Sequence, residues 1–275
     1  GLHREWFFYL KNLPGSLEEL RKKQSRPHRG LLAYLKVRTE FPPDPGHVIV
    51  DEAQDIHPIE WEVLGRIGNL GGWTILGDLN QRRTDHTFSS WDDVARLLAV
   101  EDDQNEAPVR ILENGYRSTS QIIRFANQLL PARERTLHSL QQDGDEPVVL
   151  KVSSAKNLVR EALDSALNLL GQVTGGTVAL ITTEPEPFIG LLRKEVWAMK
   201  PADPATWESG EKALRILLPQ RARGLEFDAV VVVEPSQFPE NFGRQGVLYT
   251  ALTRANRFLT VVHHRALPRD LKRKV

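Results

Sequence analysis

Cysteine is absent from the 275 residues of this chain, which excludes disulfide bonds and thiolate metal sites. Methionine occurs once, at Met199, and the first residues do not form a signal peptide. No apolar run approaches the roughly 20 residues that a membrane-spanning helix needs. We therefore expect a cytoplasmic protein without a membrane partner, and a chain that is one piece of a longer protein.

The chain also has no net charge, because Lys+Arg and Asp+Glu both number 36. A protein that coats DNA is normally basic, so binding to nucleic acid would require a local basic patch. Basic residues gather between Arg265 and Lys274, where a solvated tail is the better interpretation. Hydrophobic residues make up 40% and charged residues 26%, as in folded globular proteins, and the length suits one large or two modest domains.

The most informative stretch is residues 47–55, where an apolar run leads directly into Asp51 and Glu52. A buried parallel strand presents acids in this way at its carboxyl end, where open α/β sheets bind ligands. Such a pair suits a hydrated Mg²⁺ that carries nucleotide phosphates, with one acid positioning the metal and the other activating water. Taken alone the pattern is weak, since adjacent acids usually begin a solvated helix.

The residues after this stretch predict a βαβ unit. Pro58 begins a helix with apolar residues on one face, and residues 73–76 form the next strand, which ends at Gly77. Because the carboxyl ends of parallel strands share an edge, Asp51, Glu52 and Gln81 should converge there. Gln81 could contact a γ-phosphate or the attacking water, or it could satisfy loop backbone groups; this motif alone leaves the two open.

The rest of the chain has the pattern of an α/β protein. Helical lead-in segments occupy residues 1–40, and the acidic linker 101–106 separates a domain at 1–100 from one at 107–275. Strands are predicted at residues 109–112, 148–152, 177–182, 214–218, 229–233 and 258–262. Helices are predicted at residues 91–98, 120–130, 158–170, 189–196 and 246–255, with a Pro-rich loop in the remainder of 184–212. The uniformly β-branched run from Ala229 to Val233 predicts a central strand covered on both faces.

Five motifs then occur in order, at residues 51–55, 77–81, 116–118, 224–228 and 249–255. Together they resemble motifs II to VI of UvrD/Rep-type superfamily 1 helicases, over roughly residues 47–262. The stretches 230–235, 248–254 and 261–263 are similar to the HelD-type branch, whose members act with RNA polymerase. The resemblance implies a RecA-like P-loop NTPase architecture of parallel sheets flanked by helices, with the C-terminal part of a first RecA-like domain and a complete second one.

The resemblance also assigns roles around Mg²⁺ and ATP. It implies that Asp51 holds Mg²⁺ and that Glu52 is the general base for the attacking water. Gln81 would contact the γ-phosphate and couple it to nucleic-acid binding. Arg117 and Arg254 would reach the phosphates as arginine fingers, which are worth about 10³–10⁵ in rate.

Further roles concern the nucleoside. Tyr116 would stack on the adenine, and Glu226 with the Gly224 turn would contact the ribose or phosphates. Structural alternatives stay open, because Tyr116 could lie in the core and Arg117 or Arg254 could pair with a carboxylate. Trp91 could stack on a nucleic-acid base, or it could pack in the core.

The sequence departs from the family in several places. No Gly-x-x-x-x-Gly-Lys-Ser/Thr motif occurs, so the phosphate-binding loop and its lysine are missing. Gly115 stands where the family usually has Asn, Gln220 where it has His, and Arg223 where it has Lys. We expect the chain to be the C-terminal part of an ATP-dependent DNA helicase or translocase, monomeric, acting on DNA more than on RNA, and nearly inactive by itself. The alternative is a non-catalytic helicase-fold module that binds a protein partner such as RNA polymerase.

Overall fold

The computed structural model describes residues 26–39, 45–68, 72–82, 86–100, 109–135, 137–195, 200–203, 205–240 and 245–272. Contacts between Cα atoms divide the chain into two compact units. The first is Gly1–Leu79 with Thr84–Val109, and the second is Asn80–Arg83 with Arg110–Val275. The predicted helical segment around Trp6 and the predicted linker 101–106 lie outside the described residues.

The first unit contains the predicted βαβ arrangement. Its elements are helix α1 (Arg26–Thr39), strand β1 (His47–Val50), helix α2 (Pro58–Ile67), strand β2 (Gly72–Ile75) and helix α3 (Trp91–Leu98). Strands β1 and β2 pair in parallel, with Val50 opposite Ile75, which confirms the predicted strand–helix–strand connection. Helix α2 begins with Pro58 and with a capping box between His57 and Glu60, so its first free N–H groups have acceptors.

Apolar residues of these elements form one small core. Val50, Trp61 and Val94 are buried in it, so α2 and α3 pack on the face of the two-stranded sheet to which Val50 points. Ile49 points to the opposite side, because successive strand residues alternate between faces, and it is 70% exposed. The core thus packs against one face of β1, and the turn after Val50 lies at the carboxyl end of this strand.

The second unit is built on a seven-stranded sheet. The strands of the whole unit, in chain order, are β3 (Asn114–Gly115), β4 (His138–Ser139), β5 (Val148–Lys151), β6 (Gly176–Ile181), β7 (Lys200–Asp203), β8 (Thr206–Ser209), β9 (Lys212–Leu217), β10 (Phe227–Val233) and β11 (Ala255–His263). Its helices are α4 (Ser120–Ala126), α5 (Ala155–Gln172), α6 (Glu186–Glu195) and α7 (Gly246–Leu252). The order in the main sheet is β5-β11-β10-β6-β9-β8-β7, while β3 and β4 pair separately. Strands β5, β11, β10, β6 and β9 are parallel, and β8 and β7 complete the sheet in antiparallel fashion.

Strand β10 is the middle one of the five parallel strands, as the sequence predicts for a central strand. It lies between β11 and β6, and Val230 and Val232 contribute to one apolar cluster while Val231 and Val233 contribute to the other. Helices α4 and α7 belong to the first cluster, and α5 and α6 to the second. A β-branched run in the middle of a parallel sheet is therefore covered on both faces, and the predicted α/β architecture is confirmed.

Glu234 follows β10 and is buried in an unusual conformation. Its φ of 52° lies in the left-handed region, and the residue is 2% exposed. Its two carboxyl oxygens accept the backbone N–H groups of His264 at 3.1 Å and Arg265 at 3.0 Å. One side chain thus joins the carboxyl end of β10 to the chain that leaves β11.

Four predictions of secondary structure need correction. The helix predicted at residues 120–130 ends at Ala126. Residues 109–112 do not form a strand: Ile111 is 66% and Leu112 81% exposed, because no described strand lies beside them to accept the ladder. The Pro-rich loop within 184–212 contains strands β7 and β8, where Pro201 lies on the edge strand and tolerates the missing N–H. The predicted helix 246–255 ends at Leu252, and Ala255 begins β11 instead.

Among the described helices, none combines the length and the apolar composition that crossing a membrane requires.

Candidate functional site

The turn after β1 holds the two candidate acids. The Oδ1 atom of Asp51 accepts the backbone N–H of Glu52 at 2.7 Å. Glu52 has a φ of 55°, a left-handed conformation that is costly for a residue with a side chain. The Nε2 atom of Gln54 donates to Oε2 of Glu52 at 2.7 Å, so the carboxyl group has a fixed orientation. This turn therefore presents Glu52 in one defined position.

Gln54 connects this turn to the end of β2. Its side chain is 2% exposed, and its Oε1 atom accepts the backbone N–H of Asp78 at 3.1 Å. A Cβ atom on Gly77 would lie 2.6 Å from that Oε1 atom, so a glycine is needed for this close approach. The motif-based roles give Gln54 no function. The sequence feature that could have identified Gln54 is the position of its amide between the carboxylates of Glu52 and Asp55.

Arg254 and Gln81 meet in the second unit, to which the segment Asn80–Arg83 belongs. The Nη2 atom of Arg254 donates to Oε1 of Gln81 at 3.3 Å. Its Nε atom donates to the carbonyl of Thr250 at 3.1 Å and its Nη1 atom to that of Leu225 at 3.4 Å. Three oxygens thus hold the guanidinium in one orientation at the end of α7.

Gly246 allows the contact between Gln81 and Arg254 to form. A Cβ atom at Gly246 would lie 2.8 Å from the carbonyl oxygens of both Asn80 and Arg82. Such distances are shorter than van der Waals contact, and both neighbours are backbone atoms that cannot rotate away. The backbone around Gln81 therefore lies directly against the first residue of α7, because that residue has no side chain.

Arg117 forms an ion pair with Glu226, and both were predicted site residues. Their Nη1 and Oε1 atoms lie 2.6 Å apart, with side-chain exposures of 76% and 36%. This is the carboxylate pairing that the sequence left open as an alternative to a phosphate contact. An exposed pair of this kind contributes about 0–1 kcal/mol, so a phosphate could compete for the arginine. Tyr116 is 70% exposed, so the alternative that it lies in the core is wrong.

The turn at Gly224 supports this arrangement. Gly224 has a φ of 68°, and the backbone N–H of Leu225 donates to Ala222 at 3.3 Å. A Cβ atom at Gly224 would meet nothing within 4 Å, so the backbone conformation and not crowding explains the glycine. The turn places Leu225, the acceptor for Arg254, and Glu226, the partner of Arg117, just before β10.

Backbone hydrogen bonds join the same segments at the amino ends of β10 and β11. The N–H of Phe227 donates to Arg254 at 3.0 Å, and that of Thr119 donates to Asn256 at 3.2 Å. The motif segments around Arg117, Glu226 and Arg254 are therefore neighbours, although more than 100 residues separate the first from the others.

The structure divides the predicted site residues between the two units. The second unit brings Gln81 to Arg254 and Arg117 to Glu226, whereas Asp51 and Glu52 belong to the first unit. That Asp51 and Glu52 converge with Gln81 stays a prediction. Trp91 is partly buried against the core of the first unit, which favours core packing over stacking on a base.

The fit of a magnesium ion depends on Asp51. Among the described residues, no group of three or more His, Cys, Asp or Glu side chains is arranged to hold a metal ion. Mg²⁺ does not require such a group, because it commonly binds one or two carboxylates together with waters and substrate phosphates. Asp51 at the carboxyl end of β1 fits that type of site.

Part of the chain matches a family model and two curated relatives. A family model described as the UvrD-like helicase C-terminal domain matches residues 216–262, from the end of β9 through most of β11. The ATP-dependent DNA helicases UvrD2 of Mycobacterium bovis and Mycobacterium tuberculosis are each 35% identical to this chain over 85 residues. That alignment covers 30% of this chain and 12% of each relative, so the chain matches a small part of their length.

Two solved structures are similar at low identity. The C-terminal domain of a possible DNA helicase from Lactobacillus plantarum WCFS1 is 24% identical, with a TM-score of 0.44, over 58% of this chain and 93% of that one. The PRRSV helicase is 15% identical, with a TM-score of 0.40, over 78% of this chain and 34% of that one. The sequence matches confirm the resemblance that the motifs indicate: residues 216–262 are similar to a UvrD-like helicase C-terminal domain.

Proposed function

We propose that this chain is the C-terminal part of a superfamily 1 ATP-dependent DNA helicase or translocase, which couples ATP hydrolysis to movement on nucleic acid. The observation that carries the proposal is the hydrogen bond between Arg254 and Gln81, at 3.3 Å. The resemblance gives Gln81 a contact with the γ-phosphate and gives Arg254, like Arg117, a contact with the phosphates. A scaffold that only binds a protein partner would have no need for a guanidinium aligned on a glutamine amide in this way.

The arginine residues supply positive charge for the phosphates. Phosphoryl transfer depends on positioning and on neutralisation of charge more than on covalent chemistry. Arg254 is oriented by the carbonyls of Thr250 and Leu225, so little side-chain freedom is left to lose when a phosphate binds. Arg117 would exchange Glu226 for a phosphate oxygen, and Glu226 would then be available to a ribose hydroxyl.

The acids of the first unit act on water and metal in this proposal. Mg²⁺, bound by Asp51 together with ATP, would supply charge neutralisation at the phosphates. Glu52 would take the proton from the attacking water through a carboxyl group that Gln54 already holds in place. Tyr116, exposed and next to Arg117, would stack on the adenine.

ATP turnover by this chain tests the proposal directly. The 275 residues contain no Gly-x-x-x-x-Gly-Lys-Ser/Thr loop, so we expect little Mg²⁺-dependent hydrolysis from the chain as it stands. Phosphate release with and without single-stranded DNA is the measurement. Robust hydrolysis would mean that the β- and γ-phosphates are held by other groups, and the proposal would need a different site.

Glu52→Gln tests the role of the base in a protein that also carries the phosphate-binding loop. The amide keeps the size and the hydrogen bond with Gln54 but cannot take a proton, so turnover should fall by at least about 10²-fold while ATP still binds. Arg254→Ala in the same protein should lower the rate by about 10³–10⁵-fold. If turnover survives Glu52→Gln, Glu52 is not the base.

A further inference from the structure

The chain at and after β4 holds the backbone that leads into Arg117. Strand β4 pairs in parallel with β3, and the backbone N–H of Leu140 donates to the carbonyl of Gly115 at 3.0 Å. The side-chain N–H of Gln141 donates to the carbonyl of Tyr116. The two carbonyls that precede Arg117 are therefore both bound by this segment, and neither donor has a role in the proposed reaction.

Ser139 extends this contact past Arg117. Its hydroxyl donates to the carbonyl of Ser118 and accepts the backbone N–H of Gln141 at 3.0 Å. Ser139 is 4% and Ser118 5% exposed, so water has little access to compete for these bonds. The backbone is thus held on both sides of Arg117, and one buried hydroxyl links the two sides.

The same stretch of backbone is joined to the segment that carries Arg254. The N–H of Thr119 donates to the carbonyl of Asn256 at 3.2 Å, and the hydroxyl of Ser118 donates to the carbonyl of Thr253 at 3.5 Å. Thr253 directly precedes Arg254 in the chain. The backbones of the two candidate arginine fingers therefore belong to one hydrogen-bonded framework.

The side chain of Arg117 depends on that framework more than the side chain of Arg254 does. The guanidinium of Arg254 donates to three oxygens, whereas the largely exposed guanidinium of Arg117 pairs with the carboxylate of Glu226. In the proposed reaction Arg117 gives up this carboxylate when a phosphate arrives. At that moment the position of its guanidinium is set by the backbone from which the side chain extends.

We propose that Ser139 is a positioning residue for Arg117 in ATP hydrolysis, an inference that rests on the proposed function. Its hydroxyl fixes the backbone after Arg117 relative to the segment that binds the backbone before it. The guanidinium can then exchange Glu226 for a phosphate while the main chain stays in place. A displacement of about 1 Å at a reacting group can lower a rate by about 10²-fold, so a hydroxyl outside the five motifs can still affect the chemical step.

Hydrogen exchange in the 275-residue chain tests the structural part of the proposal. Ser139→Ala removes the acceptor of the Gln141 amide, so exchange of this amide should accelerate by about tenfold relative to the amide of Val231 in central strand β10, which reports global unfolding. Ser154→Ala is the matched control, because Ser154 likewise accepts a backbone N–H, that of Asn157 at 3.3 Å, at the start of α5. It should leave the exchange of the Gln141 amide unchanged relative to Val231. The proposal is wrong if Ser139→Ala does not accelerate exchange at Gln141.

ATPase kinetics of a protein that also carries the phosphate-binding loop test the functional part. Ser139→Ala should lower kcat by about tenfold and change the KM for ATP by less than about twofold, because the displaced arginine acts mainly on the transition state. Ser154→Ala should leave both constants unchanged. A thiol is a weaker donor and acceptor than a hydroxyl, so Ser139→Cys should give a kcat between those of the parent and the alanine variant. The cysteine variant carries the test if the alanine variant does not fold.

A double-mutant cycle separates positioning of Arg117 from a general loss of structure. If Ser139 acts through Arg117, adding Ser139→Ala to Arg117→Ala should cause no further loss in the single-turnover rate, which stays measurable in slow variants. The same tenfold loss in both backgrounds, or a parent-like kcat in folded Ser139→Ala and Ser139→Cys proteins, would overturn the proposal. Failure of the proposed function would be seen differently, as a parent protein without ATPase activity or as full activity of Arg117→Ala alone.

Discussion

Gln54 hydrogen-bonds to Glu52 and to the amide of Asp78, and its side chain is 2% exposed. The motif pattern makes the neighbouring acids conspicuous because carboxylates are the expected ligands and bases. An amide that orients one of them is visible only in three dimensions, because its second partner lies 24 residues away. Asp51 and Glu52 could thus be selected as candidate site residues from the sequence, whereas the hydrogen bond that holds Glu52 could not be predicted.

Gln54→Leu should destabilise the protein. The substitution leaves the N–H of Asp78 without its acceptor and removes the donor to Glu52, so we expect a loss of about 1–3 kcal/mol in the free energy of unfolding. Urea denaturation measures it. Gln172→Leu, at an exposed position in the last turn of α5, is the control and should change stability by less than about 0.5 kcal/mol. Equal effects of the two variants would show that the hydrogen bonds of Gln54 contribute nothing.

Gly246→Ala and Gly190→Ala should change stability in opposite directions. At Gly246 the new Cβ would lie 2.8 Å from two backbone oxygens, so the segment around Gln81 must move, at a cost of about 1–3 kcal/mol. At Gly190, inside α6, nothing lies within 4 Å, and alanine should stabilise the helix by about 0.5–1 kcal/mol.

Thermal denaturation of both variants provides the comparison. A Gly246→Ala protein that is as stable as the parent would show that the backbone of Asn80 and Arg82 does not lie against α7. In a protein with the phosphate-binding loop, the same variant should also lower ATPase activity, since Arg254 would lose its contact with Gln81.

At the scale of elements, the sequence was most informative where a segment is buried on both faces. The run from Ala229 to Val233 predicted a central strand because β-branched residues without a polar break fit only that position. Residues 109–112 also contain valine and isoleucine, with Arg110 between them, but they do not form a strand, since strand formation depends on a neighbouring strand that composition does not supply. Strands β7 and β8 were missed for the opposite reason, because Pro201 and the polar residues of both strands are typical of loops. The proline is tolerated because β7 is an edge strand.

The positions of Glu226 and Arg254 relative to the strand ends could not be predicted from the sequence either. Open α/β sheets usually bind ligands at the carboxyl ends of their strands, and Asp51 and Glu52 follow that rule. Glu226 and Arg254 instead precede β10 and β11, at the amino ends of those strands. The motif order could indicate which residues matter, but a rule about strand ends would have placed these two wrongly.

Valine-to-alanine substitutions should separate the central strand from the edge strand. Val231 is 0% exposed in β10, so Val231→Ala should cost about 2 kcal/mol through lost burial and a residual cavity. Val148 is 49% exposed in edge strand β5, and Val148→Ala should cost less than about 1 kcal/mol. Unfolding midpoints in guanidinium report both values, and a larger loss at Val148 would contradict the strand order.

At the scale of the whole molecule, neutrality restricts how nucleic acid could bind. Lys+Arg and Asp+Glu are equal at 36, so long-range attraction contributes little and a few arginines must do most of the work. If these neutralise about two to four phosphates of a single strand, the slope of log affinity against log salt should lie between about −1.5 and −3. Anisotropy titrations with a labelled oligonucleotide across salt concentrations measure the slope, and a value near −6 or steeper would indicate an extended basic surface.

The contact of Glu234 changes how the end of the chain should be regarded. The basic residues from Arg265 onward look like a dispensable tail, yet two backbone amides there are the donors to a side chain that is 2% exposed, and Leu271 is 5% exposed in the core. The bonds involve main-chain groups, so they constrain where the polypeptide can be cut and not which side chains it carries. A domain boundary drawn at the end of β11 would remove both donors and leave the buried Glu234 oxygens unpaired at the carboxyl end of β10, whereas side-chain substitutions at His264 and Arg265 would leave both bonds in place.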